Sequence, residues 1–475
     1  MNINNIIQEA YSKWKDKEYI YEKKDGIYQS ITFGEFIQAT TRLAKKLLDR
    51  GLEGKKILIF GKNSTNYMIS DLAVLAYVGI SVNINVQTPF QELKEIVKTI
   101  GVDAIIYDKF TEKIIEELKK ENTNIQYLSM EDNIDYTLDD KISFDFIDKD
   151  VSCCSKIVFS SGTTSNPKGI MLSLKNIFAG WESLKRRAPL NERDVVYLFL
   201  PLHHTYANIY NFQYSLLAGF SIYLCSDIKC LSNEIKEVNP TIFCAVPLIY
   251  KKMYCENLEN LENAFGNKIK YLFCGGAKFD TDIRMKYKEK GLPMLEAYAL
   301  TETASSFSIE YLEDQDFESA GTIFEDIDVK IINENEDGIG DIVVKGDNVF
   351  LGYVNNEVLT KSVFTEDGYF ITGDLGYIKG NKLYVKGRKD TVLIGENGEN
   401  VYPKEIENRL KEICNDIIKA KIYFQDNKLK CNIYIKEDSN VRISEIIEKY
   451  NKQVVKKDMI WDWFEYKGEL LDLKK

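Results

Sequence analysis

Short apolar runs alternate with helix-like segments through the first third of this 475-residue chain. KILIF at 56–60, ISVNI at 80–84 and DAIIY at 103–107 are each typical of a buried strand. A segment with helical character follows each run, over 66–79, 88–101 and 112–120. This alternation predicts a largely parallel sheet that is covered by helices.

Two helix starts carry local signals. Thr32 and Glu35 form a capping-box pair ahead of an apolar helical face. Thr88 is predicted to cap a later helix, with Pro89 in its first turn and Gln91 completing the box.

The second half of the chain contains more strand signals and then a change of composition. GDIVVKGDNVFLGYV at 340–354 predicts antiparallel strands with glycine-rich corners. Strand signals stop near 384–407, where glycines and charges cluster before Pro403 opens a helix. A hairpin and one more helix are expected after it. The predicted boundary separates an N-terminal domain of residues 1–386 from a small C-terminal domain of residues 387–475.

Charge and composition argue against several classes of protein. The formal net charge is −11, and the lysines are interleaved with acidic residues, so we expect no nucleic-acid partner. The nine cysteines form no CxxC pair and no signal peptide is evident, which predicts reduced thiols in a cytoplasmic protein. No stretch approaches the roughly 18 consecutive apolar residues of a membrane span.

FSSGTTSNPKG at 159–169 lies between two strand signals, KIVFSS and GIMLSL. A Walker loop opens a helix and has a different glycine–lysine spacing, so that class of phosphate loop is disfavoured. Backbone N–H groups in such a loop can form an anion nest, with added donors from hydroxyls and a charge from Lys168. The loop chemistry suits a polyphosphate, and a flexible surface loop is the alternative that composition leaves open.

The loop resembles the signature loop of the adenylate-forming superfamily, which includes acyl-CoA synthetases, nonribosomal-peptide adenylation domains and firefly luciferase. Further motifs follow in the family's order: LPLHHTY (200–206), CGGAKFD (274–280), YALTET (298–303), GDIVVKGDNVFLGY (340–353), YFITGDLG (369–376) and GRKDTVLIGENGENVYPKEIE (387–407). The resemblance covers most of the chain. It implies an α/β fold with a large N-terminal AMP-binding domain of helix-covered mixed sheets, a β-barrel-like part and a small mobile α+β C-terminal domain.

The resemblance also implies the residues of a nucleotide site. The 160–168 loop would hold the β- and γ-phosphates of ATP, through Ser160, Ser161, Gly162, Thr163, Thr164 and Lys168. The adenine would lie between the 275–277 segment and the ring of Tyr298. That segment consists of Gly275, Gly276 and Ala277.

Further roles follow from the same motifs. Thr301 would bond the α-phosphate, and Glu302 would help to hold Mg²⁺, which prefers hard oxygen ligands. Asp374 would accept hydrogen bonds from the ribose hydroxyls, and Arg388 would reach the ribose. His204 would form an aromatic wall near the acyl carboxylate.

The implied activity has two steps. A carboxylic acid would be converted by ATP to an acyl-adenylate, and the acyl group would pass to the thiol of CoA or of a carrier-protein phosphopantetheine. A rotation of the C-terminal domain about Lys389 and Asp390 would separate the two steps. Thr205, Tyr206 and Ala207 stand where amino-acid adenylation domains commonly bear an aspartate, so an apolar or aromatic acid is favoured.

The sequence departs from the family near its last residues. The stretch FEYKGELLDLKK lacks the motif that resembles PRTxxGKIxR and carries the family's adenylation lysine. The nearby candidates are Lys467, Lys474 and Lys475. A pseudoenzyme that binds the nucleotide or acyl-adenylate without full turnover is therefore the alternative function. Ala299 also replaces a usual glycine, a change that we expect to be tolerated.

Overall fold

The computed structural model describes residues 1–139, 141–159, 168–391, 393–394, 400–425, 428–454 and 458–467. The chain divides into two compact units, unit 1 and unit 2. Unit 1 is Met1–Val329 with Val344–Phe370, and unit 2 is Lys330–Val343 with Ile371–Lys475. The domain boundary near residue 387 stays a prediction. Within the described ranges, no helix combines the length and the apolar character needed to span a bilayer.

The α-helices have lengths from 4 to 17 residues. They are α1 Ile3–Trp14, α2 Phe33–Asp49, α3 Thr65–Ala73, α4 Phe90–Ile100, α5 Glu112–Glu121, α6 Met130–Asn133, α7 Leu174–Arg187, α8 Ser215–Ala218, α9 Leu231–Val238, α10 Pro247–Glu256, α11 Thr281–Glu289, α12 Glu357–Ser362, α13 Pro403–Ile413 and α14 Ile443–Asn451. Two π-helical segments, Val74–Val78 and Tyr206–Gln213, belong to unit 1.

The strands of both units are short to medium in length. They are β1 Glu18–Lys24, β2 Ile27–Thr32, β3 Lys56–Phe60, β4 Ile80–Asn83, β5 Ala104–Tyr107, β6 Gln126–Ser129, β7 Cys154–Phe159, β8 Gly169–Ser173, β9 Val195–Leu198, β10 Ser221–Leu224, β11 Ile242–Ala245, β12 Tyr271–Cys274, β13 Met294–Ala299, β14 Ser306–Ile309, β15 Thr322–Ile323, β16 Asp328–Ile332, β17 Gly340–Lys345, β18 Gly352–Tyr353, β19 Phe370–Lys379, β20 Lys382–Arg388, β21 Leu393–Ile394, β22 Asn400–Val401, β23 Ile417–Gln425, β24 Lys428–Ile435 and β25 Asp462–Lys467.

One sheet of unit 1 has the strand order β18-β8-β7-β4-β3-β5-β6. Pairing is parallel from β7 through β4, β3 and β5 to β6, which confirms the predicted parallel sheet. The apolar faces of α4 and α5 pack on it, with Leu93, Ile115 and Leu118 buried beside Leu58 and Ile105. The alternation in the sequence thus becomes a helix-covered sheet, because each amphipathic helix buries its apolar face on the strands.

The other sheet of unit 1 runs in the order β15-β14-β13-β12-β11-β9-β10-β1-β2. Strands β9 to β13 pair in parallel, and β14 and β15 continue antiparallel beyond β13. Helices α9, α10 and α11 pack against it around the buried residues Tyr250 and Tyr287. The ends of β12 and β13 carry two of the motifs singled out in the sequence.

Local signals fixed some helix starts and not others. The Thr32–Glu35 capping box is confirmed, with the Glu35 N–H donating to Thr32 Oγ1 at 3.1 Å. The predicted cap at Thr88 is wrong, because α4 begins after Pro89, which occupies the cap position without a side-chain bond. The Thr88 N–H instead closes a turn onto the Asn85 carbonyl, so the capping box with Gln91 does not form.

Unit 2 contains the strand order β16-β17-β19-β20 and, after them, a three-stranded sheet β23-β24-β25. The hairpin β23–β24 and helix α14 confirm the elements expected after residue 407, and β25 is a strand that the sequence did not predict. The core of this part includes Leu410 of α13, Cys431 and Ile433 of β24, and Ile447 and Tyr450 of α14.

Candidate functional site

Most of the predicted phosphate loop lies outside the described residues. The predicted site residues that lie outside are Ser160, Ser161, Gly162, Thr163 and Thr164. Its two ends are described. Phe159 of β7 pairs with Gly169 of β8 in antiparallel register, so the loop joins two neighbouring strands as the sequence predicted. Lys168, just before Gly169, is half-buried.

Lys168 and Glu302 contact the same side chain, Tyr353. The Tyr353 hydroxyl donates to Glu302 Oε1 at 3.0 Å. The Lys168 ammonium lies 5.7 Å from the centroid of the Tyr353 ring, within the range of a cation–π contact. Two predicted site residues that are far apart in the sequence are therefore neighbours in unit 1.

Backbone pairing holds this group together. Tyr353 of β18 pairs with Ile170 of β8, next to the end of the loop, and the Phe350 N–H donates to the Glu302 carbonyl at 2.8 Å. Tyr353 is the last residue of the predicted 340–353 motif, but the sequence analysis assigned it no role. Its place at the end of that motif was the available signal.

Thr301 and Glu302 lie in a short turn between β13 and β14. The turn is closed by Thr303, whose hydroxyl accepts from the Leu300 N–H at 3.0 Å. Ala304 follows with φ of 52°, a left-handed conformation that non-glycine residues rarely adopt. Both predicted residues are half-buried, so their side chains are held by the turn but remain accessible.

The predicted adenine segment and Tyr298 lie at the ends of adjacent parallel strands. Gly275, Gly276 and Ala277 follow β12, and Tyr298 lies near the end of β13. Gly276 has φ of 85°, which favours glycine there. Tyr206 contacts the same segment, because a Cβ added at Gly275 would lie 3.7 Å from its ring. The carboxyl ends of parallel strands are a common place for nucleotides.

The two histidines of the chain are adjacent and hold little positive charge. Their ring centroids lie 4.1 Å apart. Burial lowers the pKa of His203 to about 3, and the charge of His204 acts in the same direction. His204 is exposed to solvent, and partial desolvation by the surrounding protein still lowers its pKa. At neutral pH both rings are neutral, which suits His204 to a role as an aromatic wall.

In unit 2, Asp374 and Arg388 are neighbours across the β19–β20 pair. Arg388 Nη1 lies 3.7 Å from Asp374 Oδ1 and donates to the Thr372 carbonyl at 3.1 Å. Gly373, with φ of 77°, lies under the guanidinium, where an added Cβ would come within 2.9 Å of Arg388 Nη2. The structure thus brings the two predicted ribose ligands together.

The predicted hinge residues belong to a short 3₁₀ turn, Lys389–Thr391. The Lys389 ammonium pairs with Asp341 Oδ1 of β17 at 2.7 Å, and Asp341 is itself buried. Asp390 is exposed, with its carboxylate 3.7 Å from Arg388 Nε.

Glu302 suits a magnesium ion as a single oxygen ligand. Across the ranges that the structure describes, no three histidine, cysteine, aspartate or glutamate side chains cluster to hold a metal alone. Mg²⁺ commonly takes one or two carboxylates from the protein and completes its shell with water and substrate phosphates. A half-buried carboxylate oriented by the Tyr353 hydroxyl fits that pattern.

A buried charge cluster joins helix α11 to strand β13 and to Glu310. Arg284 of α11 pairs with Glu296 Oε2 at 2.7 Å and with Glu310 Oε1 at 2.5 Å, and all three side chains are buried. Glu296 Oε1 accepts from the Phe279 N–H at 3.4 Å, and its own N–H donates to Glu310 at 2.8 Å. Burial raises the pKa of Glu296 to about 7, with Arg284 opposing the shift and Glu310 adding to it.

Comparison with known proteins identifies the family of the chain. The family model described as AMP-binding enzyme matches residues 7–354, which is most of the chain. The chain therefore belongs to the AMP-binding enzyme family, and the predicted resemblance to adenylate-forming enzymes is confirmed.

Individual relatives are distant in sequence. The chain is 24% identical to the long-chain-fatty-acid–CoA ligase ACSBG2 of Rattus norvegicus, over 87% of this chain and 73% of that protein. It is 29% identical to the 2-succinylbenzoate–CoA ligase of Oceanobacillus iheyensis, over 84% of this chain and 81% of that protein.

The fold is shared with a solved synthetase. The o-succinylbenzoate CoA synthetase MenE of Bacillus subtilis, in complex with the acyl-adenylate intermediate OSB-AMP, matches with a TM-score of 0.82 and 22% identity. The match covers 97% of this chain and 94% of that chain. The same synthetase is also known in complex with ATP and a magnesium ion. This similarity shows that the matched part of the chain shares the fold of that synthetase.

The buried carboxyl of Glu296 makes stability depend on pH in a defined direction. Its folded pKa is about 7 against an ordinary 4.5, so between these values the native state holds a proton that the unfolded chain has released. The free energy of unfolding therefore falls as pH rises through this window. We expect Glu296→Gln to remove a fall on the order of 3 kcal/mol, measured by urea unfolding between pH 4.5 and 7. Parallel pH profiles for the variant and the wild type would contradict this assignment.

Proposed function

We propose that this protein is an AMP-forming acid–thiol ligase, which joins a carboxylic acid to the thiol of CoA through an acyl-adenylate. The observation that supports this most is the contact of Lys168 and Glu302 with one side chain, Tyr353. Adenylation needs a cation and a carboxylate-held metal beside one triphosphate, and this group can provide both. CoA ligases among the relatives favour CoA as the acceptor. A carrier-protein phosphopantetheine presents the same thiol and is the second acceptor to test.

The first step requires positioning and charge more than proton transfer. A carboxylic acid with a pKa of about 4 is ionised at neutral pH, so its oxygen can attack the α-phosphorus of ATP without a general base. The bond from that phosphorus to the bridging oxygen breaks, and pyrophosphate leaves with the electron pair. Both reactants are anions, so nearby cations and dipoles in a water-poor site must lower the cost of bringing them together.

The chain's own residues can meet these requirements. Lys168 brings a positive charge beside the triphosphate, and Ser160, Ser161, Gly162, Thr163 and Thr164 offer donors to its phosphates. Thr301 donates to the α-phosphate, while Glu302 binds a magnesium ion. Magnesium, when bound, neutralises phosphate charge.

The remaining roles concern the nucleoside and the acyl group. Gly275, Gly276 and Ala277 line one face of the adenine and the Tyr298 ring lines the other. In unit 2, Asp374 accepts from the ribose hydroxyls, and Arg388, which already contacts Asp374, holds the ribose beside it. Neutral His204 forms the wall near the acyl carboxylate.

The second step transfers the acyl group to sulfur. The thiolate attacks the acyl carbon, the carbon–oxygen bond to AMP breaks, and AMP leaves. We propose that residues 387–475 move as a domain between the steps, with Lys389 and Asp390 as the pivot. The Lys389–Asp341 pair would then stabilise one of the two states.

The acid that we propose is apolar or aromatic. Thr205, Tyr206 and Ala207 offer no carboxylate for an α-amine, and Ala207 is fully buried. Tyr206 donates its hydroxyl to the Phe273 carbonyl at 3.0 Å, which leaves an aromatic face beside Gly275.

A protein that binds the nucleotide but does not turn over is the second candidate function. The observation that favours it is Lys467, whose ammonium donates to the Ser439 carbonyl at 3.0 Å and is thus engaged within unit 2. Lys474 and Lys475, the other two candidates for the adenylation lysine, lie outside the described residues.

Pyrophosphate release distinguishes the two functions. With ATP and Mg²⁺, we expect a medium- or long-chain fatty acid or an aryl acid to stimulate release, whereas an amino acid does not. Omitting CoA and then adding either CoA or a phosphopantetheinylated carrier protein identifies the acceptor by mass spectrometry. Binding of ATP without release for any acid would contradict the ligase and support the second candidate.

The Tyr353 hydroxyl should tune the magnesium dependence. Tyr353→Phe removes only the donor that orients Glu302, so we expect the Mg²⁺ concentration for half-maximal pyrophosphate release to rise about tenfold. Tyr28→Phe is the matched control, because it removes another phenol-to-carboxylate bond, 3.2 Å to Glu234. The same Mg²⁺ dependence in both variants would remove the assigned role of Tyr353.

The hinge assignment predicts unequal effects on the two steps. Asp390→Pro fixes φ within the turn, so we expect thioester formation from a preformed adenylate to slow at least about tenfold more than adenylation. Asp390→Asn, which keeps backbone freedom, is the control. Equal losses in the two half-reactions of Asp390→Pro, measured separately, would reject the pivot.

A further inference from the structure

A lysine and an aspartate form an ion pair deep inside unit 1, and the proposed chemistry uses neither. The Lys156 ammonium lies 2.6 Å from Asp71 Oδ1, and both side chains are fully buried. Asp71 belongs to α3, and Lys156 belongs to β7, close before the predicted phosphate loop. Burying two charged groups costs free energy, and their mutual attraction often does not offset that cost. The presence of this pair therefore calls for a further role in the structure.

The Asp71 carboxylate accepts hydrogen bonds from two different parts of unit 1. Its Oδ1 accepts from Ser81 at 2.6 Å and from Asn83 at 3.1 Å, both on β4. Its Oδ2 accepts from Asn208 at 3.0 Å and from Gln213 at 3.3 Å. Burial works to raise the pKa of Asp71, but the Lys156 charge and these donors outweigh it and lower the pKa.

The Oδ2 contacts reach the segment that carries the histidines. Asn208 and Gln213 lie on the π-helix Tyr206–Gln213, directly after His204. Asn208 also donates to the Leu202 carbonyl at 2.9 Å, and its N–H donates to the His204 carbonyl at 3.0 Å. The Asn208 side chain therefore ties Asp71 to the backbone at Leu202, and the Asn208 backbone N–H bonds to His204.

The opposite end of the same segment has its own anchor. Asn63 donates to the Leu200 carbonyl at 2.8 Å and accepts from the Leu202 N–H at 2.9 Å. Asp71 thus contacts the π-helical end, and Asn63 contacts the other end. π-Helical turns are often found at functional sites, where they change the direction of side chains.

An apolar pair could fill the same space without the cost of buried charge. Replacing both partners of a buried ion pair by apolar residues is often neutral for stability, whereas removing one partner is strongly destabilising. What an apolar pair cannot replace is the acceptor oxygen that holds Asn208 and Gln213.

We propose that Asp71, supported by Lys156, is a positioning residue that holds the Leu202–Gln213 segment, and through it His204, at the acyl end of the candidate site. The role of His204 in this statement depends on the proposed ligase function. The anchoring of the segment does not depend on it.

Two single variants separate anchoring from simple stability. Asn208→Ala removes a donor from Oδ2, on the side of the histidine segment, and Ser81→Ala removes a donor from Oδ1, on the side of β4. Each removes one hydrogen bond to the same carboxylate, and Asn208→Ala also removes the bond to the Leu202 carbonyl and the acceptor of Gln213. The double variant Asp71→Leu with Lys156→Met keeps Asn208 and therefore isolates the contribution of Asp71.

Hydrogen exchange and kinetics supply independent measurements. In Asn208→Ala we expect amide exchange over residues 202–213 to rise about tenfold and the KM for the acid to rise by a similar factor, with the KM for ATP unchanged. In Ser81→Ala we expect both quantities within about twofold of the wild type. Equal exchange and equal KM in the two variants would overturn the proposal.

The double variant Asp71→Leu with Lys156→Met tests the pair itself. We expect the exchange and KM changes of Asn208→Ala together with a lowered thermal midpoint, because the donors Ser81, Asn83, Asn208 and Gln213 lose their acceptor. Wild-type exchange over 202–213 in a folded double variant would also overturn the proposal. If the wild-type protein releases no pyrophosphate with any acid, only the ligase function is refuted. The hydrogen-exchange comparison still tests whether Asp71 anchors the segment.

Discussion

Parallel strand pairing is the constraint on which the candidate site in unit 1 depends. Strands that pair in parallel end at the same edge, so the segments that follow them meet there. The predicted adenine segment follows β12, Tyr298 and Thr301 lie at and after the end of β13, and the segment that carries the histidines follows β9. Side chains about a hundred residues apart in the sequence are thereby gathered at one edge, where Tyr206 lies beside Gly275.

Two antiparallel strand pairings bring further residues to the candidate site in unit 1. Strand β8 returns from the phosphate loop beside β7, and β18 pairs with β8, which brings Tyr353 to Lys168. The Phe350 N–H then reaches the turn that carries Glu302. A cation and a carboxylate from separate motifs thus contact one phenol, because backbone pairing brings β8, β18 and the turn of Glu302 together.

The sequence predicted features whose cause is local and missed those whose cause is distant. The Thr32–Glu35 box and the hairpin around the phosphate loop involve atoms a few residues apart, so their signals are complete in the sequence. The Thr88 cap is wrong because α4 begins one residue later, after Pro89, while Thr88 closes a preceding turn with its N–H. Tyr353 and Asp71 acquire their partners only when strands and helices pack, so no spacing rule could assign them.

The neutral histidines and the buried ion pair both leave the candidate site with little positive charge of its own. Ligase chemistry as proposed brings a carboxylate to a triphosphate, yet His203 and His204 have lowered pKa values and add no positive charge at neutral pH. Lys156 is equally unable to help, because Asp71 already neutralises it within the core. The attraction of the anionic carboxylate and triphosphate would then depend on Lys168 and on a metal at Glu302. In such a site a small displacement of either changes the barrier directly, since preorganised charge acts only at the position where it is held.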